Sequence, residues 1–577
     1  MNTYQPWWEE FPGRLEQELD ALNSLGIRCK LDEEARSRDG VIRVDLVVPD
    51  ELTGRGELDL KVTYPDSYPF HRPDVVAPAL ALRHHQHPFG RNLCLIGRGS
   101  RWWYSGDTLA SLLAEQLKPA LVAGDGATGG ADVLEEEQGE PFSDYYPYDH
   151  DMAVLVDSEW SPQPGESGPA VFGCTGTFVP GGHFVVLASQ LRSDRGGSWD
   201  LPEQVLALYE GVRECRGTWV MLDAPPVGYD GSELWKAVDA ASGVPGGAAT
   251  TNAPVLRLVG FPEERTMTTS GPGWLLLARV PGAPTSDERR RQRSRNPAKR
   301  ASATSGRVLV IRAGRAGASD LGARSPHATK LAARRVLLIG TGAIGSVLAE
   351  QLARVGVGEI TLVDRDVLEP GNLARHACTM RHVGRPKALA VAQLVREAHP
   401  YAAVNVMHYA LGSAPASAED RAQLAEYIEK ADLVIDATAE VGTQELTAHL
   451  ARRATRPWLM IEATTGAWGG SVVHIPAESD WCFSCLQWHR NEGGIPWPPG
   501  DDATAVQPPG CAEPTFVGAG FDLGEVSLQG ARAAVAALSG RPTCSVAVLA
   551  LRDANGRQIL PTWTSHSVGR HAQCHHN

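Results

Sequence analysis

The residues whose types and spacing can do chemistry fall in three places. The first is Gly340-Thr341-Gly342-Ala343-Ile344-Gly345, followed by Asp364, Asp366, Asn372, Arg375 and Lys387. Glycines let a backbone approach phosphate, a helix N-terminus adds partial positive charge, and an acid at the end of the next strand bonds a ribose hydroxyl. The amide, guanidinium and ammonium beyond that acid suit a triphosphate and an attacking carboxylate better than a nicotinamide. The glycine turn alone leaves a dinucleotide-binding oxidoreductase open. The second place is Cys94, just after His87-Pro88. A thiolate there is a nucleophile for acyl transfer, and the plain alternative is a small buried hydrophobe. The third is the C-terminal set of thiols: Cys482-Phe483-Ser484-Cys485, the loop thiol Cys511, and the tail His571-Ala572-Gln573-Cys574-His575-His576-Asn577. Two thiolates at C-x-x-C spacing can hold one zinc ion, with a redox pair or a metal-free site as alternatives.

Elements must position these groups. Val336–Ile339 reads as a buried parallel strand, Ser346–Val355 has helical spacing, and Ile360–Val363 is a second apolar strand ending at Asp364. Asp432–Thr438 is another buried strand that ends in an acid and a small turn, and Leu459–Glu462 continues the sheet. Near the N-terminus, Phe11–Leu22 has helical spacing, Val41–Val48 and Leu58–Val62 alternate as half-buried strands, and Val75–Ala77 is a third short run. Cys94 and a helical stretch over Asp107–Leu117 follow. Between the two halves, strands are expected over Asp151–Val156, Val171–Phe172, Phe184–Leu187, Trp219–Leu222, Val255–Val259 and Trp274–Ala278, with helices over Leu201–Val212 and Leu234–Ala241. Asp223-Ala224-Pro225-Pro226 is turn chemistry. The basic run Arg289–Arg300 lacks interleaved aromatics and reads as a solvated loop.

The C-terminal pattern resembles the activating enzymes of ubiquitin-like and sulfur-carrier proteins, the ThiF/MoeB type, which adenylate the C-terminal carboxylate of a small protein. The resemblance makes Gly340, Gly342 and Gly345 the phosphate turn and Asp364 the ribose ligand. It gives Asp366, Asn372, Arg375 and Lys387 to ATP and to the charge that develops during adenylation. It makes Cys511 the thiol that takes the acyl group from AMP. It also implies a magnesium ligand three residues beyond Asp436. That position is Ala439, so either Asp436 or Glu440 is left to serve the metal. The tail resembles the family's terminal metal knuckle with its last cysteine replaced, which suggests Cys482, Cys485, Cys574 and His576 as a structural zinc site.

The N-terminal order resembles a ubiquitin-conjugating domain: helix, meander, Tyr64-Pro65 to Arg72-Pro73, His87-Pro88, then Cys94 as the thioester carrier. The family has Asn directly after His-Pro, where this chain has Phe89. Gln86, His87 and Asn92 are the other polar candidates for stabilising an oxyanion.

The expected division is a conjugating-like α+β domain over residues 1–125, a flexible linker over 126–150, an α/β spacer or partner-docking domain over 151–305, and a Rossmann-like α/β adenylation domain over 306–577. A chain of 577 residues is long enough for several cores, and its net charge of −14 argues against a nucleic-acid-binding surface. No apolar run suggests a transmembrane span, and the N-terminus has no secretory pattern. A cytoplasmic enzyme is therefore expected, using ATP, magnesium and structural zinc. The resemblance implies a homodimer that acts on a protein with a flexible C-terminal tail, either a ubiquitin-like protein or a cyclic-oligonucleotide synthase, and then on a target lysine. The alternatives are a sulfur-carrier adenylyltransferase and a non-catalytic scaffold.

Overall fold

A computed structural model describes residues 5–95, 103–124, 140–178, 183–243, 254–265, 269–280, 307–412, 417–501, 505–506 and 515–574. The chain divides into two compact units, Met1–Leu201 with Gly211–Arg315, and Pro202–Glu210 with Ala316–Asn577.

The first unit opens with helices Trp7–Glu10 and Arg14–Ser24. Four strands follow as an antiparallel meander: β1 (Arg28–Leu31), β2 (Ile42–Val48), β3 (Leu58–Tyr64) and β4 (Asp74–Val76). In β2 and β3 every second side chain is buried, as alternation demands of a sheet with one wet face. Helix Leu109–Gly124 covers the other side of this core. Its Leu109, Leu113, Leu117 and Leu121 recur at every fourth residue, and all four are fully sealed. Burying each contributes about 1.5–3 kcal/mol. The fully buried Glu18 ties the helices together, accepting from the Tyr64 hydroxyl at 3.2 Å and from Leu109 N–H at 2.9 Å. This α+β arrangement follows the expected order, with β1 added. Arg28-Cys29-Lys30-Leu31 is too short and polar to stand out as a strand.

The same unit contains an eight-stranded mixed sheet: β5 (Met152–Val156), β6 (Ser167–Cys174), β7 (Phe184–Arg192), β8 (Ser198–Asp200), β9 (Arg213–Met221), β10 (Val255–Glu264), β11 (Ser270–Arg279) and β12 (Val308–Arg315). β5 pairs with β12 on one side and with β7 on the other, so all but β8 close into a ring. β10 and β11 are buried on both faces. Val259, Phe261, Leu275 and Leu277 pack on Leu234, Trp235 and Val238 of helix Gly231–Ser242, while Leu256, Leu258, Leu276 and Ala278 are fully buried on the other face.

Three boundaries differ from expectation. The strand over 308–315 belongs to this middle sheet and not to the C-terminal domain, because β12 pairs with β11 and β5. The helix expected over Leu201–Val212 is only the turn Glu203–Leu206, since β9 already begins at Arg213. The linker expected over 126–150 lies outside the described residues up to 139, but 140–150 is packed structure. A 3-10 turn spans Phe142–Tyr145, and Tyr146 and Tyr148 are buried. The basic run at 289–300 lies outside the described residues.

The second unit is built on an eight-stranded sheet in the order β15-β14-β13-β16-β17-β18-β21-β22. β13 (Arg335–Ile339), β14 (Glu359–Val363), β15 (Ala403–Met407), β16 (Leu433–Asp436) and β17 (Trp458–Ala463) run parallel. β18 (Gly469–Ile475), β21 (Val546–Arg552) and β22 (Gln558–His566) extend it antiparallel, and the short pair β19 (Ala505–Val506) and β20 (Thr515–Phe516) stands apart. β13 and β16 are adjacent, and the strand order reverses between them. A ligand crevice belongs outside the carboxyl ends of strands at such a point. One face of the sheet carries helices Ala343–Arg354, Lys387–Ala398 and Gly520–Leu538 over a shared core. Among the described residues, no helix is long and apolar enough to cross a membrane.

Candidate active site

The glycine turn leaves β13 at the switch point. Gly340 has φ +88°, and a side chain on it would meet the Ala437 backbone at 2.8 Å, where β16 ends. Gly345 is tighter: its Cβ would stand 1.9 Å from the Gly340 carbonyl oxygen. Gly342 has open space before it, and no side chain caps the helix that begins at Ala343. Two glycines therefore serve the fold, and the middle one leaves room for a ligand at a bare helix N-terminus.

The acid at the end of β14 braces this turn. Asp364 Oδ2 accepts from Thr341 N–H at 2.7 Å and from its hydroxyl at 2.9 Å. His376 adds a second brace, with Nε2 2.9 Å from the Thr341 carbonyl and Nδ1 accepting from Cys378 N–H at 3.1 Å. That pattern places the His376 proton on Nε2, and burial lowers its pKa, so the ring is neutral. Neither Thr341 nor His376 stands out in the sequence, because a lone His beside a charged run carries no spacing signal.

Asn372 and Arg375 lie on and just after the 3-10 turn Pro370–Ala374, and Lys387 opens the helix Lys387–Ala398. The structure brings them together with Gly342 around a cleft that Ala437, Thr438 and Ala439 also line. Arg375 is partly buried, which lowers its pKa but leaves a guanidinium charged. The cleft thus combines two cationic side chains with an uncapped helix end, which suits a polyphosphate.

Asp436 is placed differently from expectation. It is fully buried; Oδ1 accepts from Thr438 N–H at 3.0 Å and from the Thr438 hydroxyl at 2.7 Å, and Oδ2 from the Thr447 hydroxyl at 2.7 Å. Asp436 therefore staples the β16 turn and does not line the cleft. Burial raises its pKa, which these hydroxyl and amide bonds oppose. Glu440 accepts from the Thr443 hydroxyl at 2.6 Å, one turn along the helix Val441–Arg453. Ala439 lines the cleft with φ +57°, a left-handed conformation that is uncommon for a side chain.

The C-terminal thiols converge. Cys482 Sγ is 3.8 Å from Cys485 Sγ and 3.6 Å from Cys574 Sγ, and all three ligand atoms fit one ion's reach. Burial pushes the Cys482 thiol up to about 11, so without a cation it stays protonated. The pair opens a helix, Phe483–Asn491, as a redox pair commonly does. The third sulfur still favours a metal over a redox pair, since a dithiol exchange needs only two. His571 sits beside the cluster, but its Nε2 is 3.1 Å from Glu492 and its Nδ1 accepts from Gln573 N–H. Cys511 and His576 lie outside the described residues.

In the first unit, Cys94 is exposed on irregular chain just after the bridge residue Leu93, and His85 (φ +60°) and Arg91 (φ +59°) shape the loop that leads to it. Of the polar candidates around it, Gln86 is spent: its amide donates to the Ala77 and Arg91 carbonyls, and its oxygen accepts from Leu82 N–H. His87 Nδ1 accepts from Phe89 and Gly90 N–H, at 3.1 and 2.9 Å. Phe89 packs into an aromatic cluster, with ring centres 5.5 Å from Phe142 and 5.6 Å from Tyr229.

Comparison with known proteins agrees with the C-terminal geometry. The ThiF family matches residues 317–563. Over its whole length the chain is 30% identical to the uncharacterized protein y4oA of Sinorhizobium fredii, covering 98% of this chain and 97% of that one. Residues 317–563 form a ThiF-family domain. Other relatives of this ThiF-domain protein match less of it. The ATP-dependent ubiquitin transferase-like protein Cap2 of Enterobacter hormaechei is 24% identical over 62% of each chain. The adenylyltransferase and sulfurtransferase MOCS3 of Bos taurus is 31% identical over 27% of this chain and 32% of its own. The family match begins at residue 317, just after β12 ends, in accord with the shifted domain boundary.

Proposed function

We propose that the chain uses ATP to activate the C-terminal carboxylate of a partner protein and passes the acyl group through two thiols to a lysine amine. The observation that carries this reading is the cleft at the β13–β16 switch point, where Gly342, Asn372, Arg375 and Lys387 converge. Cap2 and MOCS3, whose names describe ATP-dependent ubiquitin transfer and adenylyl transfer, support it.

The partner's carboxylate attacks the ATP α-phosphorus, and pyrophosphate leaves. Arg375 and Lys387 balance the charge that builds on the phosphates, and Asn372 orients them. Asp364, already accepting from Thr341 on Oδ2 and from Asp366 N–H on Oδ1, keeps one acceptor position on Oδ1 for a ribose hydroxyl. Magnesium bound with the nucleotide would supply positive charge to the phosphate oxygens beside Arg375 and Lys387. Asp366 is the carboxylate paired with Lys387, and Asp436 is too sealed to take part. The Cys511 sulfur then displaces AMP to give a thioester, Cys94 takes the acyl group by exchange, and an amine removes it. Splitting one difficult acyl transfer into several easier ones is what covalent catalysis achieves. Cys482, Cys485 and Cys574 would hold a structural zinc ion, and the tail His576, outside the described residues, is the expected fourth ligand. The partner is a protein with a flexible C-terminal tail, either a ubiquitin-like protein or a cyclic-oligonucleotide synthase, and the working form is a homodimer.

A second reading stops at adenylation or a thiocarboxylate product, as in sulfur-carrier activation. Phe89, packed among aromatics where an oxyanion donor is expected, favours it. One experiment separates the two. With ATP and a tail-bearing partner, the full reading gives a thiol-reducible adduct that Cys511→Ala abolishes and that Cys94→Ala leaves stalled on Cys511, with no transfer to lysine. Pyrophosphate exchange that is indifferent to Cys94→Ala, with no such adduct, supports the shorter pathway. Absence of exchange overturns both.

A further inference from the structure

The backbone that carries Cys94 is tied to His85, whose carbonyl accepts from Cys94 N–H at 2.8 Å. His85 is held in turn by a residue from beyond the expected conjugating-like domain: its N–H donates to Glu140 Oε1 at 2.9 Å, and its Nδ1 lies 3.4 Å from the same oxygen. The other carboxylate oxygen accepts from the Tyr145 hydroxyl at 3.2 Å. The Tyr145 ring is fixed edge-on to His87, with centroids 4.7 Å apart. An anionic group is therefore anchored on both oxygens beside the thiol, and each oxygen keeps a lone pair. Cys94 senses it: partial desolvation first, then the Glu140 charge, push the exposed residue's thiol up. Glu140 is about three-quarters buried, and burial holds Tyr145 as a protonated donor.

We propose that Glu140 belongs to the Cys94 centre, where its carboxylate binds the ammonium of an incoming lysine-type acceptor and takes its proton, with Tyr145 as the positioning residue that holds it. This rests on the reading of Cys94 as the acyl carrier. The ammonium gives one proton to Glu140, and the neutral nitrogen attacks the thioester carbonyl. The C–N bond forms, the C–S bond breaks, and the electron pair of that bond leaves on sulfur. The second proton shed by nitrogen ends on the Cys94 thiolate, and Glu140 returns the first proton to water. The products are an amide, a free thiol and one released proton. The site therefore selects cationic amines over neutral nucleophiles.

The test bypasses the ATP-dependent steps. A synthetic peptide thioester ending in glycine loads the full chain by exchange, and mass spectrometry follows the adduct on the Cys94 peptide against a Cys94→Ala control. Discharge is then timed with free lysine, a cation at neutral pH, and with hydroxylamine, which is neutral there. Glu140→Gln is expected to raise the KM for lysine about tenfold, the size of one charge-assisted contact, while hydroxylamine discharge stays unchanged. Tyr145→Phe shifts lysine in the same direction by less, and Glu140→Asp, which keeps the charge, recovers part of the preference. If Glu140→Gln slows both nucleophiles equally, or neither, the proposal is overturned while the Cys94 reading stands. If no adduct forms on Cys94 in the native chain, the carrier reading fails and the proposal fails with it.

Discussion

Lys387 Nζ lies 2.9 Å from Asp366 Oδ2, and the Lys387 backbone N–H donates to the Asp366 carbonyl at 2.8 Å. Lys387 is largely buried at the cleft, whereas Asp366 is half exposed, so the pair is unequal. The carboxylate loses little on release, because a solvent-screened ion pair contributes about 0–1 kcal/mol. The ammonium gains a phosphate contact worth about 1.5–3 kcal/mol. Lys387→Met is therefore expected to weaken ATP binding about ten- to hundredfold, and Asp366→Asn to change it less than about tenfold, as read by calorimetric titration.

The glycines of the turn separate folding from binding. A methyl on Gly345 collides with the Gly340 carbonyl, so Gly345→Ala is expected to lower thermal stability, at a cost of about 1–3 kcal/mol. Gly342→Ala meets nothing within 4 Å in the protein and should leave the melting temperature unchanged. It should still weaken nucleotide binding, since the added methyl faces the cleft. Equal melting losses in the two variants would contradict this assignment.

Ala439 sits in a left-handed conformation that Asp tolerates better than most residues. Ala439→Asp should fold normally and place a carboxylate in the cleft. The magnesium needed for half-maximal pyrophosphate exchange is expected to fall roughly tenfold, on the order of one charge-assisted contact. A magnesium titration of native chain and variant checks it.

The three-sulfur cluster predicts one zinc equivalent per chain by elemental analysis. Cys574→Ser is expected to lose most of it and to melt earlier, since a structural ion's binding energy is also folding energy. Chelator treatment of the native chain should reproduce that shift.

Cys94 predicts a pH effect. Its pKa is raised, so at any given pH below it the thiolate fraction, and hence the alkylation rate, is smaller than for an unperturbed cysteine. Removing the nearby charge in Glu140→Gln lowers the pKa, so the rate–pH curve should move toward lower pH. Iodoacetamide labelling of the Cys94 peptide between neutral and alkaline pH measures the displacement.

The nucleotide half is the most legible part of the chain because its signals are local. Ile339, Gly340, Gly345 and Asp364 are set by strand ends and a single turn, so their order along the chain nearly fixes their places. β12 is misassigned from sequence for the opposite reason: an apolar run such as Val308–Ile311 declares burial but not which sheet it will join. Asp436 resembles a ligand because a buried strand ends in an acid, and only the hydroxyls of Thr438 and Thr447 show where its oxygens go. The segment 140–150 reads as linker because Gly and Glu precede it. The aromatics Phe142, Tyr145, Tyr146 and Tyr148 are the signal that packing resumes there.

The middle sheet closes on itself where β5 bridges β12 and β7. Such a ring offers no row of idle amides and carbonyls along its seam, so an extended peptide cannot zip on there as an extra strand. A partner captured along this seam must be gripped by side chains and loops, and not by the generic grammar of backbone pairing.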